Sequence, residues 1–160
     1  MNETYKVQVQ DLVDDLKAVF THAGLGGEAG EYKLLTQSFL YKFLNDKFLY
    51  QAKVLDESNT YENLLAMSED DYDWLLEDIG TSTAWLKSEQ LIETLHRQQN
   101  EATFYESFEN TLNQIAIDNN DIFSVHTDGD TAIRLFDERL ITDTISDSSK
   151  RNEVAKAIIN

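Results

Sequence analysis

Glu31 to Tyr50 reads EYKLLTQSFLYKFLNDKFLY, and the spacing of its apolar residues decides the fold. At 3.6 residues per turn, Tyr32, Leu35, Phe39, Phe43 and Tyr50 share one stripe. Leu34, Tyr41 and Phe48 form a second stripe on the opposite side, with Leu40 and Leu44 between them. A helix apolar on so many sides is expected to be covered by neighbours on several faces, as the hub of a bundle.

Before this segment, Val9, Leu12, Val13, Leu16, Val19 and Phe20 keep helical spacing and predict a first helix from about Val7 to His22. Gly24, Gly26 and Gly27 end it, and Gly30 lies close to the start of the hub helix, which is expected to reach about Leu55. Asp56 to Asn59 reads as a turn and Thr60 to Ala66 as a short helix. Ser68 followed by Asp71 resembles a capping arrangement and opens a helix with Tyr72, Leu75, Leu76 and Ile79, closed by Gly80. Its acidic first turn suits the positive end of a helix dipole. Beyond Thr83-Ala84-Trp85-Leu86, the residues Leu91, Ile92 and Leu95 mark one amphipathic run, and Ala102 to Ile117 another. Ile122 to Val125 has strand-like composition and could equally be a buried loop, and Asp128-Gly129-Asp130 reads as a turn. Leu135 to Ile145 and Glu153 to Ile159 predict two short final helices. The expectation is a mainly α fold, a bundle of about six to eight helices in a single domain over 1–160, with one short strand or extended segment near 122–125.

Composition supports that class. The chain has 160 residues, 41% of them hydrophobic and 11% aromatic, which argues against disorder despite a net charge of −17. So acidic a surface repels nucleic-acid phosphates on average, although one local basic patch can still touch DNA. With no cysteine, disulfides, thiolate metal sites and thiol nucleophiles are excluded. No secretory signal is visible at the N-terminus, and no apolar run approaches the ~20 residues needed to span a bilayer. A cytoplasmic protein with no membrane association is therefore expected. Proline is absent where about 5% is average, which favours helix.

Glu31-Tyr32-Lys33, followed by Phe39, Leu40, Lys42, Phe43, Leu44, Asp46 and Phe48, resembles a pattern EYK…FLKYISDxF. That pattern is found in the N-terminal helical domain of the methyltransferase (M) subunit of type I restriction-modification enzymes. Trp85-Leu86, Phe104 to Asn120, Phe123 and Leu135-Phe136 to Ile141 fall in the family's later order. The resemblance covers most of the chain, through hydrophobic spacing more than diagnostic motifs. It implies a non-catalytic domain that packs beside the methyltransferase catalytic domain, helps close the complex around double-stranded DNA and contacts a second M subunit. The specificity and restriction subunits are the further partners it implies.

In that family S-adenosylmethionine is held by an F-x-G-x-G turn, and adenine-N6 methylation uses N-P-P-[YF] around a flipped base. A chain without proline cannot contain the second motif, and its six glycines offer no F-x-G-x-G. No cofactor is expected in this chain, and the S-adenosylmethionine site is expected in a catalytic domain of the parent enzyme. The chain is accordingly expected to be an excised piece or a truncated subunit.

Other chemistry finds no foothold. His22, His96 and His126 are far apart in sequence and form no H-E-x-x-H. An EF-hand around Gly129 would place Ser124, His126 and Leu135 at ligand positions that need acids. Asp14-Asp15, Asp70-Asp71 and Asp137-Glu138 are paired carboxylates, but with 30 acidic residues such pairs arise readily on solvated helix faces. Ser38, Ser88 and Ser107 lack a G-x-S-x-G context.

Five cations remain as candidate contacts with DNA or a partner: Lys42 and Lys53 on one side of the hub helix, and Lys150, Arg151 and Lys156 near the C-terminal end. The plainer explanation for them is solubilising charge and local ion pairs. A second functional class also fits the charge: a stand-alone acidic protein that mimics DNA and occupies a DNA-binding cleft. The 13 interspersed lysines and arginines weigh against it.

Overall fold

The structure is a computed structural model and describes residues 3–25, 29–120, 125–126, 132–133 and 135–160. Eight α-helices are described: α1 (Glu3–His22), α2 (Ala29–Leu55), α3 (Tyr61–Ala66), α4 (Glu69–Ile79), α5 (Ile92–Gln98), α6 (Phe104–Asp118), α7 (Leu140–Thr144) and α8 (Arg151–Ile159). Single 3₁₀ turns at Ser88–Gln90 and Ser148–Lys150 lead into α5 and α8. Two-residue strands β1 (Val125–His126) and β2 (Ala132–Ile133) pair antiparallel, Val125 opposite Ile133 and His126 opposite Ala132. The chain is thus mainly helical, with a helix count inside the expected range. The segment expected to be extended is seen only at Val125, while 122–124 and the Asp128-Gly129-Asp130 turn lie outside the described residues.

Local chemistry sets the helix ends. Thr60 and Ser68 cap α3 and α4, their hydroxyls accepting the N–H groups of Asn63 and Asp71. Each satisfies one of the orphan donors at a helix start. At the end of α1, Gly24 adopts φ +97° so that Leu25 N can return to the Phe20 carbonyl at 2.9 Å. A side chain at Gly24 would be strained by that backbone, whatever space surrounds it.

Every described helix contributes to the core, and two of them make most of the inter-helix packing. α2 packs against α1, α4 and α7, whereas α8 packs against α1, α5, α6 and α7. Val154, Ala155, Ile158 and Ile159 of α8 are all buried, so this nine-residue helix is a centre of the bundle as much as α2 is.

α2 is not covered all round. Leu34, Tyr41 and Phe48 are fully buried, yet Tyr32, Phe43 and Tyr50 of the opposite stripe are 74%, 59% and 65% exposed. Only Leu35 and Phe39 of that stripe pack partly against the core. Helical spacing marks both stripes as apolar, and the neighbours α4 and α7 take just one of them.

The predicted helix over 135–145 is also shorter than expected, with only Leu140–Thr144 helical. Phe136 is buried with its ring edge-on to Tyr41 at 6.4 Å, and Asp137 N donates to Gln37 Oε1 at 3.0 Å. Lys33 pairs with the Asp137 carboxylate at 2.8 Å. These contacts with α2 give the backbone an alternative to a further helical turn. No described helix is long and apolar enough to cross a membrane.

Candidate partner and nucleic-acid interface

Lys42 and Lys53 stand eleven residues apart on α2, which returns them to one side of the helix about 16 Å apart along the axis. Lys42 is half-buried against the α1–α2 groove, and loss of hydration lowers its pKa, partly offset by the nearby Asp46 carboxylate. Lys53 is exposed in the last turn.

The C-terminal cations are engaged differently. Lys150 Nζ approaches His22 Nε2 at 3.0 Å, tying the start of α8 to the end of α1. An ammonium has no lone pair, so it donates and the imidazole accepts. Arg151 turns inward: its Nε donates to the Ile145 carbonyl at 2.9 Å, and its guanidinium lies 5.6 Å from the Tyr105 ring centre. Lys156 is half-buried on α8. Next to this group, Asp147 accepts the hydroxyl and N–H of Ser149, and these bonds, with Lys150 and Arg151 nearby, hold its carboxyl below the usual range.

The groove between α1 and α2 is the most distinctive surface. Tyr5, Val9 and Leu12 line one wall; Phe39, Phe43 and Tyr50 line the other, with Lys42, Asp46 and Lys47 among them. Its volume is about 560 Å³, and the Lys47 ammonium sits 5.8 Å from the Phe43 ring centre. The first turns of α1, Glu3 to Asp11, are exposed throughout. α4 offers a contrasting face, where Glu69, Asp70, Asp71, Asp73, Glu77 and Asp78 are all exposed around a Trp74 that is itself 67% exposed.

Beneath these surfaces, buried polar side chains hold the stretch from Gly80 to Ile92. Asn119 pairs with the Trp85 backbone, Asn45 Oδ1 accepts the Ile92 N–H at 2.9 Å, and Tyr41 donates to the Gln90 carbonyl at 2.6 Å. Spacing places Tyr41 on a buried stripe without indicating its hydroxyl's partner, and it does not mark Asn45 or Asn119, which are polar residues in or beside an apolar helix. Their signal lies in the irregular 80–91 segment, whose backbone groups need partners that no regular element supplies. Compared with known proteins, the chain matches no protein family, no curated protein and no solved structure.

Proposed function

We propose that this chain is the non-catalytic N-terminal domain of a type I restriction-modification adenine-N6 DNA methyltransferase subunit. In this reading it helps close the complex around double-stranded DNA and contacts the catalytic domain, a second M subunit and the specificity and restriction subunits. S-adenosylmethionine belongs to the parent enzyme's catalytic domain. The carrying observation is the 31–48 segment, whose Glu31-Tyr32-Lys33 and Phe39 to Phe48 residues resemble the family pattern within one long helix. Exposed Lys53 and half-buried Lys156 are available to meet phosphates, and phosphate contacts position a protein without reading sequence. The test compares a methyltransferase complex lacking residues 1–160 with the same complex supplied with this chain. Tighter DNA binding and restored methylation are expected, and no change in either counts against the reading.

The DNA-mimic reading draws on the α4 face, where six exposed carboxylates fall within an eleven-residue helix. A mimic should displace DNA from a methyltransferase complex at stoichiometric concentration, whereas a domain of the enzyme should not.

A further inference from the structure

We propose that the outward face of α2, walled on one side by the first turns of α1, is a docking groove for a single α-helix of a partner protein. That helix is apolar along one stripe and flanked by Asp or Glu. The proposal stands on the exposed face itself and holds whether or not the chain belongs to a methyltransferase.

The spacing along α2 is the first support. Tyr32, Thr36, Phe39, Phe43, Lys47, Tyr50 and Val54 follow one another at intervals of three or four, the spacing of a helix–helix seam. Tyr32, Phe43, Tyr50 and Val54 are each more than half exposed, and the stripe runs about 33 Å along the helix. Single exposed apolar residues are ordinary, but Phe39, Phe43 and Tyr50 together lining one groove mark an interaction site. The α1 wall points the same way, because Tyr5 and Val9 line the groove from helical turns in which every residue is exposed.

Charge decides the occupant. α2 carries Lys33, Lys42, Lys47 and Lys53 against Glu31 and Asp46, so it is net positive inside a chain of net charge −17. Lys42 lies beside Phe43 and Lys47 follows it one turn on within the seam, so both cations line the groove that an occupant would fill. Lys33 is occupied by Asp137, which leaves the groove lysines as the local cations. The charged side chains lining the groove are Lys42, Lys47 and Asp46, whereas the α1 acids Asp11, Asp14 and Asp15 lie outside that lining, so the two lysines set the preference at contact. A second copy of this chain fits poorly, since it brings the same α2 lysines and another body of net charge −17.

Two synthetic helices of about six turns provide the test, both with leucine on a three–four stripe. One has glutamate at every flanking position and the other lysine, and binding to the full chain is read by fluorescence anisotropy at physiological salt. The glutamate-flanked helix is expected to saturate and to bind about tenfold more tightly than the other, despite the acidic chain. Lys42→Glu with Lys47→Glu should reverse the preference. Phe43→Ser with Tyr50→Ser should abolish binding while the circular dichroism and thermal midpoint stay unchanged, since both side chains are exposed. The proposal is overturned if the lysine-flanked helix wins on the unaltered chain, if neither helix saturates, or if the α2 substitutions leave binding unmoved. It is equally overturned if sedimentation finds a dimer that Phe43→Ser with Tyr50→Ser dissolves, because the occupant is then a second copy.

Discussion

Asn119 clamps the backbone of Trp85 from both sides: its Oδ1 accepts the Trp85 N–H at 2.7 Å, and its Nδ2 donates to the Trp85 carbonyl at 2.9 Å. The same Nδ2 reaches the Ile115 carbonyl at 2.9 Å, so one fully buried side chain fastens the 80–91 segment to the end of α6. Trp85 in turn donates through Nε1 to the Gly80 carbonyl at 2.7 Å.

Replacing Asn119 by leucine leaves a buried N–H and carbonyl without partners, and we expect a loss of about 2–4 kcal/mol in urea unfolding. Asn119→Asp keeps the acceptor for Trp85 N but sets a carboxylate against two carbonyls, which raises its pKa in the folded state. Its destabilisation should therefore be full at neutral pH and ease as pH falls toward about 4 and the group protonates. A pH-independent loss for Asn119→Asp would show that the clamp acts through shape alone.

Tyr41 and Tyr72 predict the alkaline limit. Both hydroxyls donate to backbone carbonyls at 2.6 Å, Tyr41 to Gln90 and Tyr72 to Leu86. Burial pushes both phenols up, with Glu89 adding to the effect at Tyr72. Above pH ~10 the unfolded chain releases these protons while the folded chain keeps them, so stability falls as pH rises. Each group then contributes a slope of about 1.4 kcal/mol per pH unit. Urea midpoints between pH 9 and about 11.5 should drop steeply in the unaltered protein, and less steeply in Tyr41→Phe with Tyr72→Phe.

Glu109 makes the corresponding link between α6 and α7. Only 6% exposed, its carboxylate accepts the Thr142 N–H through one oxygen and the Thr142 hydroxyl through the other at 3.0 Å. Glu109→Ala leaves the Thr142 N–H near the helix start without its partner and should lower stability by about 2–3 kcal/mol. Glu109→Gln retains one acceptor oxygen for that N–H and should lose about 1 kcal/mol or less. Equal losses for the two variants in thermal unfolding would mean that packing, not the hydrogen bonds, sets the value of this site.

Much of this architecture is written in local chemistry. Ser68 and Gly80 bound α4 as their residue types require, and the Leu34, Tyr41 and Phe48 stripe is buried as its spacing implies. Which of α2's two apolar stripes would be covered was not legible, because both have helical period and only tertiary neighbours choose between them. Asn119 lies just past the amphipathic run that ends at Ile117, where spacing says nothing of it, yet it is a buried clamp on Trp85, 34 residues earlier. For the same reason, Leu135 to Arg139 has the composition of a helix but gives the Phe136 and Asp137 side chains and the Asp137 N–H to α2. The candidate cations were visible as residues, but their uses were not. Arg151 serves the Ile145 carbonyl at close range, and nothing in its spacing indicates that.

That difference in use sets Lys53 and Lys156 apart from Arg151. If Lys53 and Lys156 meet DNA phosphates in an assembled methyltransferase complex, each neutralisation removes one counterion-releasing contact. Lys53→Gln and Lys156→Gln should then each reduce the slope of log affinity against log salt by about 0.9, with the thermal midpoint of the domain unchanged. Arg151→Gln should act through the fold instead, because its guanidinium holds the Ile145 carbonyl and lies over Tyr105. Its thermal midpoint should fall, and its effect on DNA binding should follow the fraction folded. Unchanged salt slopes for both lysine variants would remove these side chains from the DNA surface and leave their charge to solubility and steering.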